Sequence, residues 1–247
     1  IELEAIPVIL DIDAGNTRIK WRVLDQGQVV SSGDQLTESV RQLAALDITC
    51  AESIQRIRLS SVAGSDIIES LQNQFDCPLE VAVVDESAAG ITCGYKDCQQ
   101  LGVDRWLAVI AAYKKIANSL IVVDAGSAVT IDIVGTEGVH QGGYIVPGLR
   151  LMHQALWQGT EHIKVEAKSV ANITTPGRST DDAVDKGCLL LLVSTIESLV
   201  NQYGCKLVIT GGDGLMLRDQ LSVPADYYPD LVLEGLAVAG VGFKALD

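Results

Sequence analysis

Apolar positions along this chain fall into short runs that alternate between strand-like and helix-like spacing. The run at 9–12 rises to Asp13, breaks at Ala14-Gly15-Asn16-Thr17 and resumes at Ile19, Trp21 and Val23, which predicts strand, tight turn, strand. Stretches 18–24 and 29–31 read as a hairpin about Asp25-Gln26-Gly27. Residues 37–46 place Val40, Leu43, Ala44 and Leu46 at helical spacing. A strand at 57–62, a helix at 66–75 with Ile67, Ile68, Leu71 and Phe75 on one face, and a strand at 81–84 follow. The stretch 88–102 is irregular. A helix over 106–117 then carries Trp106, Val109, Ile110 and Tyr113 on one face, with Lys114 and Lys115 near its end.

Beyond it, 120–124, 129–134 and 139–146 read as strands and 149–157 as a helix, and 160–175 is irregular and polar. A long helix starts at Ser179, with Asp182 at capping-box spacing, and stops at Tyr203 before Gly204. A strand at 206–210 ends in Gly211-Gly212-Asp213-Gly214, and a final helix is expected over 231–246. Strands alternating with helices predict an α/β architecture.

The chain also repeats itself. Asp124-Ala125-Gly126-Ser127, after an apolar run from Leu120, echoes Asp13-Ala14-Gly15-Asn16. Without a gap, Gly27 also aligns with Gly138. Two copies of strand, Asp-Ala-Gly, strand predict a duplicated fold, with lobes at 1–118 and 119–247. The expected ligand site lies where two facing turns, one from each half, enclose a small molecule.

Composition narrows the classes. The 247 residues are 48% hydrophobic and 20% charged, so the chain is globular. A mean hydropathy of +0.27 hints at surface buried in an oligomer. The net charge of −14, with no basic run, argues against nucleic acid as a partner. Six cysteines form no Cys-x-x-Cys pair, which fits free thiols in a reducing cytoplasm. His140, His153 and His162 form no zinc motif and read as surface or packing residues. The apolar stretch 6–12 is too short to span a membrane and is interrupted by Pro7 and Asp11.

Against that acidic background an anionic ligand needs local help. Gly15 is expected to take φ > 0 and let the backbone approach a phosphate, with Asn16 and Thr17 as donors beside it. Asp13 is placed to hold Mg²⁺, directly or through water, and Lys20 to add positive charge. Asp124 reads either as a cation ligand or as a turn stabiliser, and Ser127 and Thr130 either as turn residues or as phosphate donors. Asp104 reads as a helix N-cap or as the carboxylate that deprotonates an attacking hydroxyl, kept ionised by Arg105 and the helix start. Arg105 is a surface charge or a planar clamp for a carboxylate. Tyr95 is a packed aromatic or a ligand contact, and Thr180 part of a helix cap. Neither a Gly-x-x-x-x-Gly-Lys-Ser/Thr loop nor a Gly-x-Gly-x-x-Gly helix start occurs.

Taken in order, Asp13-Ala14-Gly15-Asn16-Thr17 with Lys20, Gly102-Val103-Asp104-Arg105, Asp124-Ala125-Gly126-Ser127-Ala128-Val129-Thr130 and Gly142-Gly143-Tyr144-Ile145-Val146-Pro147-Gly148 resemble the type III pantothenate kinases. The resemblance covers about 9–245, with Ser127 where many members carry threonine. It implies a duplicated actin-like (ribonuclease H-like) ATPase fold and ATP-dependent phosphorylation of pantothenate, the first step toward coenzyme A. It implies that Asp13, Gly15, Asn16, Thr17, Lys20 and Ser127 hold ATP and Mg²⁺. Asp124 would bind a monovalent cation, K⁺ or NH₄⁺. Asp104 would be the base, with Tyr95, Gly102, Val103 and Arg105 around pantothenate. Thr180 would reach into the site of a second protomer of a homodimer. Two rivals remain at this point: a kinase for another small hydroxylated acceptor, and an ATP-regulated interaction protein that influences transcription.

Overall fold

The structure, a computed structural model, describes residues 7–43, 45–48, 51–160 and 173–246. Cys50, His162 and most of the 160–175 stretch lie outside them. The chain divides into two compact units, one of 1–111 plus 231–247 and one of 112–230.

In the first unit, β1 (Ile9–Ala14), β2 (Arg18–Asp25) and β3 (Gln28–Leu36) form an antiparallel meander, followed by α1 (Thr37–Leu43). Next come β4 (Arg56–Ser61), α2 (Ser65–Gln74) and β5 (Leu79–Ala82), with β4 parallel to β1 and β5 parallel to β4. A two-stranded ribbon, β6 (Ser87–Ala88) and β7 (Ile91–Thr92), precedes α3 (Val103–Ile116). The second unit repeats the plan with β8 (Leu120–Ala125), β9 (Ala128–Val134), β10 (His140–Pro147), α4 (Leu149–Gly159), α5 (Thr180–Tyr203), β11 (Lys206–Thr210), α6 (Gly214–Arg218) and β12 (Ala225–Tyr227). The chain ends with α7 (Leu231–Leu236) and β13 (Phe243–Ala245).

Sheet order is β13-β5-β4-β1-β2-β3 in the first unit and β10-β9-β8-β11-β12 in the second. Without β13, both read first meander strand at the centre, second and third meander strands to one side, and two parallel strands to the other. The duplication expected from the Asp-Ala-Gly echo is therefore a duplication of topology.

Each core follows from strand alternation. In the first sheet Ile12, Trp21 and Leu59 share one row, and Leu10, Val23 and Ile57 the next. They pack with Val40 of α1 and with Ile67 and Leu71 of α2. The opposite face carries Asp11, Arg22 and Arg58. The fully buried Asp11 carboxylate accepts from Arg58 Nε at 2.7 Å and from Arg22 Nε and an Arg58 terminal nitrogen at 3.0 Å. Arg22 also donates to the Leu233 carbonyl at 2.7 Å, which ties α7 to this face. In the second sheet Ile121, Val123, Ile131, Leu207 and Ile209 pack with Leu189, Leu192, Val193 and Ile196 of α5.

Several expectations about elements change. Helix α1 is shorter than the 37–46 pattern suggested, because the Leu46 backbone is held by the Gln74 side-chain amide on both its N–H and its carbonyl, each at 2.7 Å. Strand β3 is nine residues long rather than three. The expected last helix stops at Leu236. Gly240 takes φ +92, and the chain turns back as β13, antiparallel to β5. That segment thus joins the first unit, whereas the sequence division had set it with the second half. The long helix α5 does start at the Ser179 cap, whose hydroxyl accepts from the Asp182 N–H at 3.2 Å, and it ends at Gly204.

Candidate active site

Strand β1 delivers Asp13 to the end of the first sheet, opposite Lys20 on β2. The turn that follows is closed by Gly15 N–H donating to Arg18 O at 3.0 Å. Gly15 does not have a positive φ, contrary to expectation. A side chain there would be tight: its Cβ would lie 3.0 Å from Arg18 O, so that backbone would have to give by a few tenths of an ångström. Asn16 and Thr17 are exposed at the tip. Thr37, fully buried at the start of α1, holds the turn from behind: its hydroxyl donates to Gly15 O at 2.7 Å and its N–H to Thr17 O at 3.0 Å. Sequence reasoning did not single out Thr37. Its signal was a hydroxyl residue opening a helix, which reads as a cap.

The second copy of the turn joins β8 to β9. Asp124 lies opposite Thr130, and Gly126 N–H donates to Ala128 O at 3.0 Å. This turn is one residue tighter than the first, so Thr130 takes the cross-strand place that Lys20 holds beside Asp13. The ungapped alignment slips by one at this point. Gly148 supports the turn from below. Its N–H donates to Ser127 O at 3.0 Å, and a Cβ there would meet Gly126 O at 2.3 Å. That close approach explains the glycine at 148, just after β10. On the other side, Gly211 backs against Asp124 so closely that a Cβ would lie 2.4 Å from its Oδ1, and Asp213 N–H donates to Ala125 O at 2.9 Å. The Gly-Gly-Asp-Gly stretch noted only as a glycine turn is therefore part of the Asp124 surroundings.

Asp104 is not the cap of α3. The helix begins at Val103, and Gly102 O accepts the first intrahelical bond from Trp106 N–H at 3.0 Å. Asp104 sits in the first turn, half-buried, its Oδ1 accepting from Arg105 N–H at 2.8 Å. Arg105 is no surface charge: it is 5% exposed. Its guanidinium donates to the Tyr95 hydroxyl at 2.9 Å and lies 5.7 Å from the ring centroid. Tyr95, Gly102, Val103, Asp104 and Arg105 are thereby brought together. Thr180, in the second unit, is the exposed first residue of α5. His140 and His153 are buried packing residues, His140 at 2.8 Å from Asp132 and His153 at 3.4 Å from Asp185.

The donor set fits a hard divalent ion held partly by substrate. Among the described residues no group of three or more His, Cys, Asp or Glu could hold a metal. Mg²⁺ needs only one or two carboxylates when phosphates and water supply the rest. No helix among the described residues is long and apolar enough to cross a membrane.

Two α/β units of matching strand order, each with an Asp-Ala-Gly turn at the end of its central strand, define an actin-like ATPase fold of the sugar-kinase type. Solved structures agree on the fold. A Campylobacter jejuni protein described as a Baf family transcriptional activator superposes with a TM-score of 0.62 at 24% identity, covering 92% of this chain and 94% of that one. A Sinorhizobium meliloti protein described as a 2-dehydro-3-deoxygalactonokinase gives 0.53 at 12% identity, over 93% and 94%. Sequence narrows the class to one family. The family profile for type III pantothenate kinase matches residues 9–202. A type III pantothenate kinase of Pseudomonas aeruginosa is 37% identical over 250 residues, covering 94% of this chain and 98% of the relative. One from Azotobacter vinelandii is 36% identical over 249 residues, with the same coverage. The chain belongs to the type III pantothenate kinase family.

Proposed function

We propose that this chain transfers the γ-phosphoryl group of ATP to pantothenate, the first step toward coenzyme A, with Asp104 as the base. The observation that carries the residue assignment is the cluster at the start of α3: a carboxylate held by the adjacent backbone N–H, beside a buried arginine tied to a tyrosine hydroxyl. A buried guanidinium is suited to a carboxylate, which pantothenate carries along with its primary hydroxyl. In the proposed step Asp104 takes the hydroxyl proton, the alcohol oxygen bonds to the γ-phosphorus, and the bond from that phosphorus to the bridging oxygen breaks to release ADP. Positioning and charge neutralisation carry most of such a transfer, so an ordinary carboxylate suffices as base.

Gly15, Asn16, Thr17, Lys20 and Ser127 would contact ATP phosphates, and Asp13 would hold Mg²⁺. When bound, the ion neutralises charge on the phosphate oxygens. Asp124 would hold K⁺ or NH₄⁺. The proposal includes a homodimer in which Thr180 of one protomer serves the other's pantothenate site. Leu190 and Leu191, 48% and 65% exposed on the helix that Thr180 opens, support a partner on that helix. A cytoplasmic setting is supported by the free cysteines Cys77, Cys93, Cys98, Cys188 and Cys205.

The test is single-turnover transfer from ATP to pantothenate by wild type and Asp104→Asn. Near-normal turnover in the variant would remove Asp104 from the role of base. Wild-type transfer to a sugar in preference to pantothenate would overturn the acceptor. Asp124→Ala is expected to abolish activation by K⁺.

A further inference from the structure

Ser60, on β4, is fully buried, and its hydroxyl oxygen has no hydrogen-bond partner. A buried hydroxyl left unmet is costly, while an alanine in the same place would carry no such penalty. The register shows where this hydroxyl lies. Asp13 pairs with Ser60 across the parallel strands and with Lys20 across the antiparallel pair. Residues paired in register share a face, so Lys20, Asp13 and Ser60 form one row across three strands, at the mouth of the first Asp-Ala-Gly turn.

The neighbouring row on the same face is Arg22, Asp11 and Arg58, whose polar groups meet one another and the Leu233 carbonyl. The next residue on β4, Ser61, belongs to the other face, and its hydroxyl reaches Ala63 O at 3.5 Å. Ser60 thus sits between a self-satisfied ion cluster and the candidate phosphate turn, with its own hydrogen bond unmade.

We propose that Ser60 is a positioning residue for the nucleotide–metal complex. Its hydroxyl makes its hydrogen bond only when Mg²⁺ and nucleotide bind at the Asp13 turn, and it acts through the Asp13 carboxylate beside it. The inference rests on the reading of 13–20 as the phosphate and metal turn. It explains why the site carries a serine where alanine would suit the ligand-free protein better.

The experiment measures melting temperature and the Mg²⁺ requirement for wild type, Ser60→Ala and Ser60→Thr. The nucleotide is the non-hydrolysable β,γ-imido analogue of ATP. Without ligand, Ser60→Ala is expected to melt at or above wild type. With Mg²⁺ and the analogue, its thermal shift should be smaller than that of wild type. Its half-saturating Mg²⁺ should rise about tenfold, the worth of one hydrogen bond to a charged group. Ser60→Thr, which keeps the hydroxyl, should restore the Mg²⁺ requirement. A ligand-free Ser60→Ala that melts well below wild type would make the serine a structural residue and overturn the proposal. So would an unchanged Mg²⁺ requirement. If wild type itself gains no stability from Mg²⁺ and the analogue, the reading of the Asp13 turn fails, and Ser60 falls with it.

Discussion

Gly102→Ala separates the placement of the Asp104 carboxylate from the stability of the helix that bears it. A Cβ at residue 102 would lie 2.6 Å from Asp104 Oδ1, where ordinary contact begins at about 3.4 Å. Gly102 does not have a positive φ, so alanine can adopt the same backbone. The added methyl therefore displaces the carboxylate by nearly an ångström and leaves the chain in place. It also disturbs the 2.8 Å bond from Arg105 N–H to that oxygen. A misplacement of about 1 Å at a reacting group costs roughly 10²-fold in rate, or about 2.7 kcal/mol of barrier. Against this, replacing glycine by alanine at a compatible position gains about 0.4–1 kcal/mol through the unfolded chain. The expected variant melts at the wild-type temperature or slightly above it, and its kcat falls 10- to 100-fold. A coupled ADP-release assay with saturating ATP and pantothenate, beside a thermal melt, measures both. Turnover within threefold of wild type, with Asp104→Asn inactive, would refute the claim that the carboxylate must sit where Gly102 lets it. A melting temperature lowered by many degrees would refute the claim that the backbone is undisturbed.

Other outcomes follow from single contacts. Thr37→Val removes the hydroxyl that holds Gly15 O at 2.7 Å and leaves that part-buried carbonyl short of a donor; it should cost about 0.5–1.5 kcal/mol in urea unfolding and raise KM for ATP more than KM for pantothenate. The Asp182 carboxyl is held below its usual range, first by the Arg178 N–H and then by Lys186. A carboxyl lowered in the folded state contributes stability that is present above its unfolded value, near pH 4, and is lost as pH falls through its folded one; the destabilisation caused by Asp182→Ala should therefore be seen at pH 7 and shrink toward pH 3 in urea titrations. The Cys98 thiol is pushed up to about 11, first by its hydrogen bond with Cys93. Iodoacetamide at pH 8 should label it at least tenfold more slowly than an unperturbed cysteine, and Cys93→Ala should speed that labelling.

Elements with a strong local signal were legible in the sequence. The apolar runs 120–124 and 206–210 are the central strands of the second sheet, and Ser179 and Gly204 bound α5 as their capping chemistry required. What escaped depends on partners far along the chain. Strand β3 is an edge strand of polar and small residues, with Val29 and Val30 more than half exposed, so it has no alternating signature to read. The apolar residues of 231–246 suit a helix or a strand equally well, and a turn at Gly240 with a free edge on β5 decides between them. Arginine in the first turn of a helix reads as solvated until Tyr95, ten residues earlier, is seen to fold over it. Thr37 looks like a helix cap from its neighbours alone, and only the return of β3 beside β2 brings it to the Gly15 carbonyl.

The two Asp-Ala-Gly turns differ in length by one residue, and that difference changes which residue each aspartate faces. Both turns keep the carboxylate at the end of a central strand and the glycine N–H folded back onto the next strand. In the first, three residues separate the strands, and the cross-strand neighbour of Asp13 is the cationic Lys20. In the second, two residues separate them, and the neighbour of Asp124 is the uncharged Thr130. On the proposed assignment, Lys20 adds positive charge near the phosphates that the first turn would receive, and Mg²⁺ would reach Asp13 together with those phosphates. On the same assignment, Thr130 places an uncharged side chain across from Asp124, which would hold the proposed K⁺ or NH₄⁺. The chemical difference between two nearly identical motifs thus traces to turn length, because cross-strand register, set by the turn, decides which side chain each aspartate meets.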